Sequence, residues 1–361
     1  MPTELSNKPT AASPQHILVA VAWPYANGSL HLGHIAGAYL PADIFARYHR
    51  MAGNRVLMVS GSDTHGTPIT VRAEREGRGP QDVVDQFHPE FLRYWQELGI
   101  SFDLFTSTGT ENHEQVTHDV FNRLRERGYI YRGASRQFFD PQAGRFLPDR
   151  YVEGTCPNCG NESARGDQCD NCGRTLDPQD LLNPRSRMTG ATPEMRDTEH
   201  YFFKLSAFQE PLLDWLRSRE GWRKHVRNFS IGFVEEGLHD RAITRDLEWG
   251  VKLPVEDLGP GKRIYVWFEA VIGYLSASKE WAATRGDADA WRAWWEQHGA
   301  ALEVTKRSRR TAAERVKEAE ARDDAFYAHE FERWRERAVE VLKKSGVLVT
   351  IGAWDKGERV L

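Results

Sequence analysis

A chain of 361 residues that is 40% hydrophobic holds enough apolar material for two or three domains with buried cores, which argues against a disordered polypeptide. A formal net charge of −4 provides no global attraction to nucleic acid, although it leaves room for a local basic groove. The longest apolar runs, such as Ile17 to Ala22 with Trp23, fall far below the roughly 18 residues of a membrane span and no signal peptide opens the chain, so a soluble cytoplasmic protein with no membrane partner is expected.

Residues 1–14 are polar, contain proline and lack periodicity, which predicts a disordered leader. The β-branched run His16 to Ala22 predicts a buried parallel strand, followed by a turn-rich Pro24 to Ser29 and a helix from Leu32 to Arg50 that Gly53 ends. A second apolar strand, Val56 to Ser60, runs into Gly61 and the polar cluster Ser62 to Pro68, and helical spacing then resumes through Glu76. This βαβα opening predicts an α/β fold with a parallel sheet. Helices over Val83 to Leu98 and His113 to Arg127 flank the stretch Phe102 to Thr108. From Tyr129 to about Gly261 the text changes to hairpin-like strands, paired cysteines, a Pro- and Arg-rich linker (Asp177 to Pro193) and an amphipathic helix near Phe208 to Arg219, which together read as an insertion. Ile264 to Phe268 predicts another buried strand leading into a helix from Ala270 to Trp281. Beyond Trp295 come a charged helix from about Ala312 to Lys344 and a strand-like Val347 to Ile351, which could add to the sheet or be an unrelated tail. No internal repeat is apparent.

Four strings carry chemistry. Trp23 to His34 lies where a first strand hands over to a helix, the edge at which open α/β sheets bind ligands and helix amino ends attract phosphate. His31 and His34, three apart, could face one phosphate, with Gly33 letting a base approach the backbone, or could simply cap the helix or sit in a core. Asp63 ends the second strand and could hold an ammonium group or cap the next helix. Tyr265 to Tyr274 is rich in aromatics, which belong to a core or a pocket. All four cysteines form two CxxC pairs, Cys156/Cys159 and Cys169/Cys172, nine residues apart and each followed by glycine (Gly160, Gly173), a spacing for one closed structural zinc site rather than a disulfide framework.

The string Trp23-Pro24-Tyr25-Ala26-Asn27-Gly28-Ser29-Leu30-His31-Leu32-Gly33-His34 resembles the HIGH signature of class I aminoacyl-tRNA synthetases in its methionyl form. Tyr265 to Tyr274, Phe146 to Arg150, Glu199 to Phe203 and Arg241 to Gly250 are similar to further stretches of the methionyl family, so the likeness runs from about His16 to Trp295. The resemblance implies a Rossmann-like catalytic fold that activates methionine with Mg2+ and ATP and passes the adenylate to the acceptor stem of tRNA(Met). It implies that His31, His34 and Gly33 bind ATP, the histidines stabilising the charge that develops in adenylate formation. It assigns Ala22, Trp23, Tyr25, Trp267, Ala270 and Tyr274 to the thioether and Asp63 to the amino group of methionine. Where the family often has Asp-Ala-Pro, this chain has Glu269-Ala270-Val271, which leaves Glu269 without an assigned role. The expected layout is a first catalytic half (15–130), a connective insertion (131–260) with the knuckle at 153–176 over the tRNA acceptor end, the start of a second half (261–297) and a charged tail (298–361).

After Trp295 the family continues to a KMSKS loop and a helical anticodon-binding domain, and this sequence contains neither; Lys306-Arg307-Ser308-Arg309-Arg310 is basic but lacks the spacing. Loss of that phosphate clamp implies impaired activity. The alternative is a catalytically deficient remnant that still binds methionine or the acceptor stem.

Overall fold

The protein is described here as a computed structural model covering residues 14–166, 168–174 and 176–296. The expected leader, apart from Pro14, and the expected tail helix and strand lie outside the described residues.

β1 (His16–Ala20) leads through a turn-rich segment into α1 (Leu32–His34), a π-helical turn (Ile35–Tyr39) and α2 (Leu40–Met51). β2 (Arg55–Ser62), α3 (Thr67–Glu76), α4 (Pro80–Leu98), β3 (Leu104–Ser107) and α5 (Glu111–Glu126) follow. Next come β4 (Ile130–Asp140), β5 (Arg145–Phe146), β6 (Val152–Thr155), β7 (Ala164–Arg165), β8 (Leu182–Ser186) and β9 (Glu194–Phe203). The remainder is α6 (Gln209–Arg217), α7 (Lys224–Glu235), β10 (Arg241–Ala242), β11 (Thr244–Asp246), β12 (Lys262–Ile264), α8 (Val266–Thr284) and α9 (Arg292–Trp295).

The chain divides into two compact units, the first built from described residues within Met1–Ser62, Asp85–Ser107 and Tyr274–Leu361, the second from Asp63–Val84 and Thr108–Gly273. In the first unit, β1, β2 and β3 form a parallel sheet in that order, with Ile17 opposite Val56 and Val59 opposite Leu104. Parallel neighbours require a crossover, and the helical run 32–51 is the one that joins β1 to β2. Leu18, Val19, Leu57, Met58 and Val59 are all buried, which is why these strands read as unbroken apolar runs without alternation. Leu18, Leu57 and Val59 pack with Ala277, Trp281 and Trp291, so the end of α8 covers one face. At the base of the sheet, buried Asp43 accepts from Ser101 N at 2.6 Å while Asp103 accepts from Met58 N and Arg50, tying the start of β3 to α2.

The second unit carries an antiparallel sheet in the order β10-β9-β4-β5, a smaller one in the order β7-β6-β8, and the pair β11-β12. Its cores are separate: Phe121, Ile130, Tyr201, Ile243 and Ile264 form one, Leu147, Tyr151, Val152, Ala164, Leu176 and Leu181 another, and Leu213, Leu216, Val234 and Leu238 hold α6 against α7.

Three sequence expectations change. Ile264 to Phe268 is not a strand: only Lys262–Ile264 is extended, and Val266, Trp267 and Phe268 already belong to the 19-residue α8. Trp267 and Val271 are exposed while Glu269 is buried, so no polar stripe betrays the helical period at the start of α8, and length is what separates such a run from a strand. On a helix the positions 267, 270 and 274 share one face, a relation a strand would not give them. Within Phe102 to Thr108, Leu104–Ser107 is the third parallel strand, and within the Asp177 to Pro193 linker, Leu182–Ser186 pairs with β6. Among the described residues no helix is long and apolar enough to cross a membrane.

Candidate functional site

In the first unit the residues after β1 are held by backbone-directed contacts. Ser60 Oγ donates to Val21 O at 3.0 Å, and Tyr39 Oη donates to Ala22 O at 3.2 Å, so the carboxyl end of β1 is fixed from β2 and from the π-helical turn. Burial, and then Tyr274, raise the Tyr39 phenol well above its ordinary value, so it stays a donor. Trp23 meets Tyr274 edge to face with ring centroids 6.2 Å apart. Pro24 and Ala26 are buried, Tyr25 is half-buried and Ala22 is exposed.

A residue that sequence reasoning missed lies beneath Trp23. A Cβ on Gly61 would fall 2.3 Å from Trp23 Cζ3 and 2.7 Å from Thr106 O, so only glycine lets the indole rest against β2. Gly61→Ala is expected to displace Trp23 or bend β2 at a cost of about 1–3 kcal/mol. The urea midpoint checks this, and an unchanged midpoint would show that the sheet accommodates the methyl group.

His31 and His34 interlock. His31 is the N-cap of α1: its Nδ1 accepts from Gly33 N at 3.0 Å, and His34 Nδ1 accepts from His31 N at 3.2 Å, a capping box made by two imidazoles whose rings stack at 3.9 Å. Both rings cap the helix, and a ring whose Nδ1 accepts a backbone N–H carries its proton on Nε2. Burial, and then His31, lower the pKa of His34, which favours this neutral form. A Cβ on Gly33 would lie 2.9 Å from His31 Cε1, so the glycine makes room for the capping ring.

β2 runs directly into Asp63, the first residue of the second unit. Asp63 does not cap α3: the N-cap is Gly66, and Asp63 Oδ1 instead accepts from His65 N at 3.2 Å. Burial, and then the charge of Glu269, raise its pKa well above the carboxylate range. The loop is pinned by Thr64 N donating to Thr108 Oγ1 at 2.9 Å and by Trp249 Nε1 donating to Thr64 O at 2.8 Å. Trp267 is exposed and Ala270 half-buried on the second-unit part of α8.

The four cysteine sulfurs lie within 4.8 Å of one another, with Sγ atoms of Cys156 and Cys172 3.9 Å apart and of Cys159 and Cys169 3.6 Å apart. Four thiolates about 2.3 Å from one tetrahedral zinc would be roughly 3.8 Å apart, so the donor set fits that ion. The two pairs repeat one turn: Gly160 N donates to Cys156 O and Gly173 N to Cys169 O, each glycine having φ of 73°. Asn158, Asn161 and Asn171 direct side-chain amides at Cys172, Cys169 and Cys159, a set the cysteine spacing alone does not disclose. The Cys172 N–H is the main cause that brings the Cys169 thiol down to about 6, whereas burial pushes Cys156 up.

The family model described as tRNA synthetases class I (M) matches residues 17–306. The chain is 61% identical over 285 residues to a methionine-tRNA ligase of Roseiflexus sp. (strain RS-1), covering 78% of this chain and 48% of that protein. It is 59% identical over 281 residues to a methionine-tRNA ligase of Dehalococcoides mccartyi (strain CBDB1), covering 78% and 51%. It therefore spans about half the length of the curated relatives it matches. The solved structure of Mycobacterium tuberculosis methionyl-tRNA synthetase in complex with methionyl-adenylate superposes with a TM-score of 0.58 at 24% identity, covering 78% of this chain and 50% of that one, and establishes the likeness of fold.

Proposed function

Because this chain belongs to the methionyl branch of the class I tRNA synthetases, we propose that it activates methionine with ATP and serves transfer of the methionyl group to tRNA(Met). The observation that carries the reading is the paired capping of His31 and His34, which places the proton of each neutral ring on Nε2 at the carboxyl edge of a parallel sheet. In adenylate formation a methionine carboxylate oxygen bonds to the α-phosphorus of ATP as the bond to pyrophosphate breaks. Charge grows on phosphate oxygens, and two Nε2–H donors held in advance suit that charge without reorganisation. Gly33 lies beside them. Mg2+ enters with ATP as the counter-ion of its phosphates.

In the first unit, Trp23 and Tyr274 offer aromatic edges and faces to a polarizable sulfur, with Ala22 and Tyr25 beside Trp23 in sequence. In the second, Asp63 offers a counter-charge to the amino group, and Trp267 and Ala270 are the proposed contacts from α8. Cys156, Cys159, Cys169 and Cys172 would hold one zinc ion, a closed site whose contribution is to fasten the knuckle within a connective insertion at 131–260. That insertion is the proposed contact for the tRNA acceptor end.

Methionine-dependent ATP–pyrophosphate exchange by zinc-loaded chain tests the reading. These 361 residues contain no KMSKS string, so by themselves they are expected to exchange slowly. Binding of methionine with no exchange would favour the second reading, a protein that keeps the amino-acid site or the acceptor-stem contact without the chemistry. No exchange together with no binding of methionine or of a tRNA acceptor stem would refute both.

A further inference from the structure

Glu269 is a carboxylate with 0% exposure, placed one turn into α8. Burying an unpaired carboxylate is prohibitively costly, so its partners explain its presence. His65 Nδ1 lies 2.9 Å from Oε1, and His113 Nε2, from α5, lies 2.6 Å from Oε2. Both donors are themselves buried, and Thr117 Oγ1 sits 3.4 Å from the same His113 nitrogen. Two imidazoles from two different elements thus share one carboxylate, which makes Glu269 the clamp of a small buried network.

One end of this network is the Asp63 loop. Thr108 and Trp249 hold the backbone of Thr64, and Glu269 supplies the third attachment through the ring of His65, whose own N–H is spent on Asp63 Oδ1. The groups facing Asp63 are Glu269 from α8 and His65 from its own loop, with His113 of α5 behind Glu269. Although burial alone would raise the pKa of Glu269, hydrogen bonds from His113 and His65 hold it down, so Glu269 is the member that keeps its charge. Asp63, buried and beside that charge, has its pKa raised well above its ordinary value.

We propose that Glu269 is a positioning residue for the amino-acid substrate: clamped between His65 and His113, it fixes the Asp63 loop and adds its own charge to the one Asp63 acquires when the substrate's ammonium group binds. This rests on the reading, given above, that Asp63 receives the amino group of methionine. The exchange balances in protons: a neutral Asp63 carboxyl meeting a substrate ammonium becomes a carboxylate–ammonium pair, and one proton leaves to solvent. Asp63 has its folded-state pKa raised, so it is neutral at acid pH and ionises as pH rises through that value. Methionine affinity should therefore fall on the acid side and level off on the alkaline side. Removing the Glu269 charge should let Asp63 ionise at lower pH and move the fall acidward.

Calorimetric titration of L-methionine into the zinc-loaded full chain, repeated across the acid-to-neutral range in buffers of different ionisation enthalpy, tests this. The expected result is proton release on binding at acid pH that vanishes above the fall. Glu269→Gln should bind on the order of tenfold more weakly at neutral pH, with its fall displaced to lower pH, while Glu269→Asp should keep the fall in place and stay within about threefold of the parent. Methionine uptake by the parent with no proton release at any pH would overturn the proposal without any variant. So would an equal loss at every pH in both variants, the mark of a merely structural role. Failure of the parent chain to take up methionine at all would instead refute the assignment of Asp63 to an amino group.

Discussion

Elemental analysis of the purified chain is expected to return one zinc ion per molecule, and Cys169→Ser to lower that to below about one-tenth. Cys169 is the most telling ligand to remove, because it is fully buried and is the thiol that backbone N–H groups prepare most strongly for the anionic form a metal requires. The consequence should spread. Cys156 and Cys169 belong to the same buried cluster as Leu147, Tyr151, Val152, Leu176 and Leu181, so freeing the sulfurs loosens the packing between β6 and β8. Among the described residues between Cys156 and Arg174 the only regular element is the two-residue β7, too little to hold that stretch by itself. Chelation should therefore open the region 153–176 to protease while the parallel sheet of β1, β2 and β3 stays resistant. A metal-free chain that cleaves no faster there than the loaded one would show the knuckle to be self-supporting.

The second large effect concerns the histidine pair. His34→Ala removes both a proposed phosphate donor and the acceptor for His31 N, and is expected to lower methionine-dependent exchange by about 10²–10³-fold with zinc content unchanged. Capping and catalysis can be separated at position 31. His31→Asn keeps a side-chain oxygen able to accept from Gly33 N but has no counterpart of the imidazole Nε2–H. It should leave the unfolding midpoint within about 0.5 kcal/mol of the parent while still losing most exchange. Retained exchange in His31→Asn would assign the pair to helix capping alone.

Those two sites differ in how far the amino-acid order exposes them. The parallel strands are legible because Leu18, Val19, Leu57 and Val59 are buried on both faces and leave no alternation to confuse. The cysteine pairs are legible because a closed tetrahedral site needs four ligands at short, fixed spacing. The helix over Ala270 to Trp281 is legible within α8, but the first turn is not, because exposed Trp267 and Val271 beside buried Glu269 leave no polar stripe to mark it. α7 is hidden for a like reason: Phe229 and Phe233 stand exposed on it and blur the apolar face that Val234 supplies to the core. β3 is four residues long and takes its identity from pairing with β2.

Within the candidate site the chemical residue types could be read, and their supports could not. Gly61 serves Trp23 across 38 positions of sequence, and Glu269 reaches His113 across 156 and His65 across 204. Such relations are created by the crossing of elements and have no local periodicity. The interlocked imidazoles of His31 and His34 are three apart in sequence, but their shared geometry depends on the extended backbone at His31, with φ −106° and ψ 169°, which residue types leave open.

The π-helical turn from Ile35 to Tyr39 gives the run from Leu32 to Met51 some slack. A wide turn accommodates one residue more than an ordinary coil of equal height, so the histidine tip and the body of the helix need not keep the same rotational phase. Rewinding it to regular pitch would swing Tyr39 about its axis and withdraw the phenol from Ala22, leaving the mouth of the first strand moored from β2 alone, by Ser60 and by the bond from Val21 N to Val59 O. The helix is in this sense a jointed shaft, whose knuckle of loosened winding lets the histidine tip, proposed to face a nucleotide, and a sheet-facing shank each settle into its own best fit.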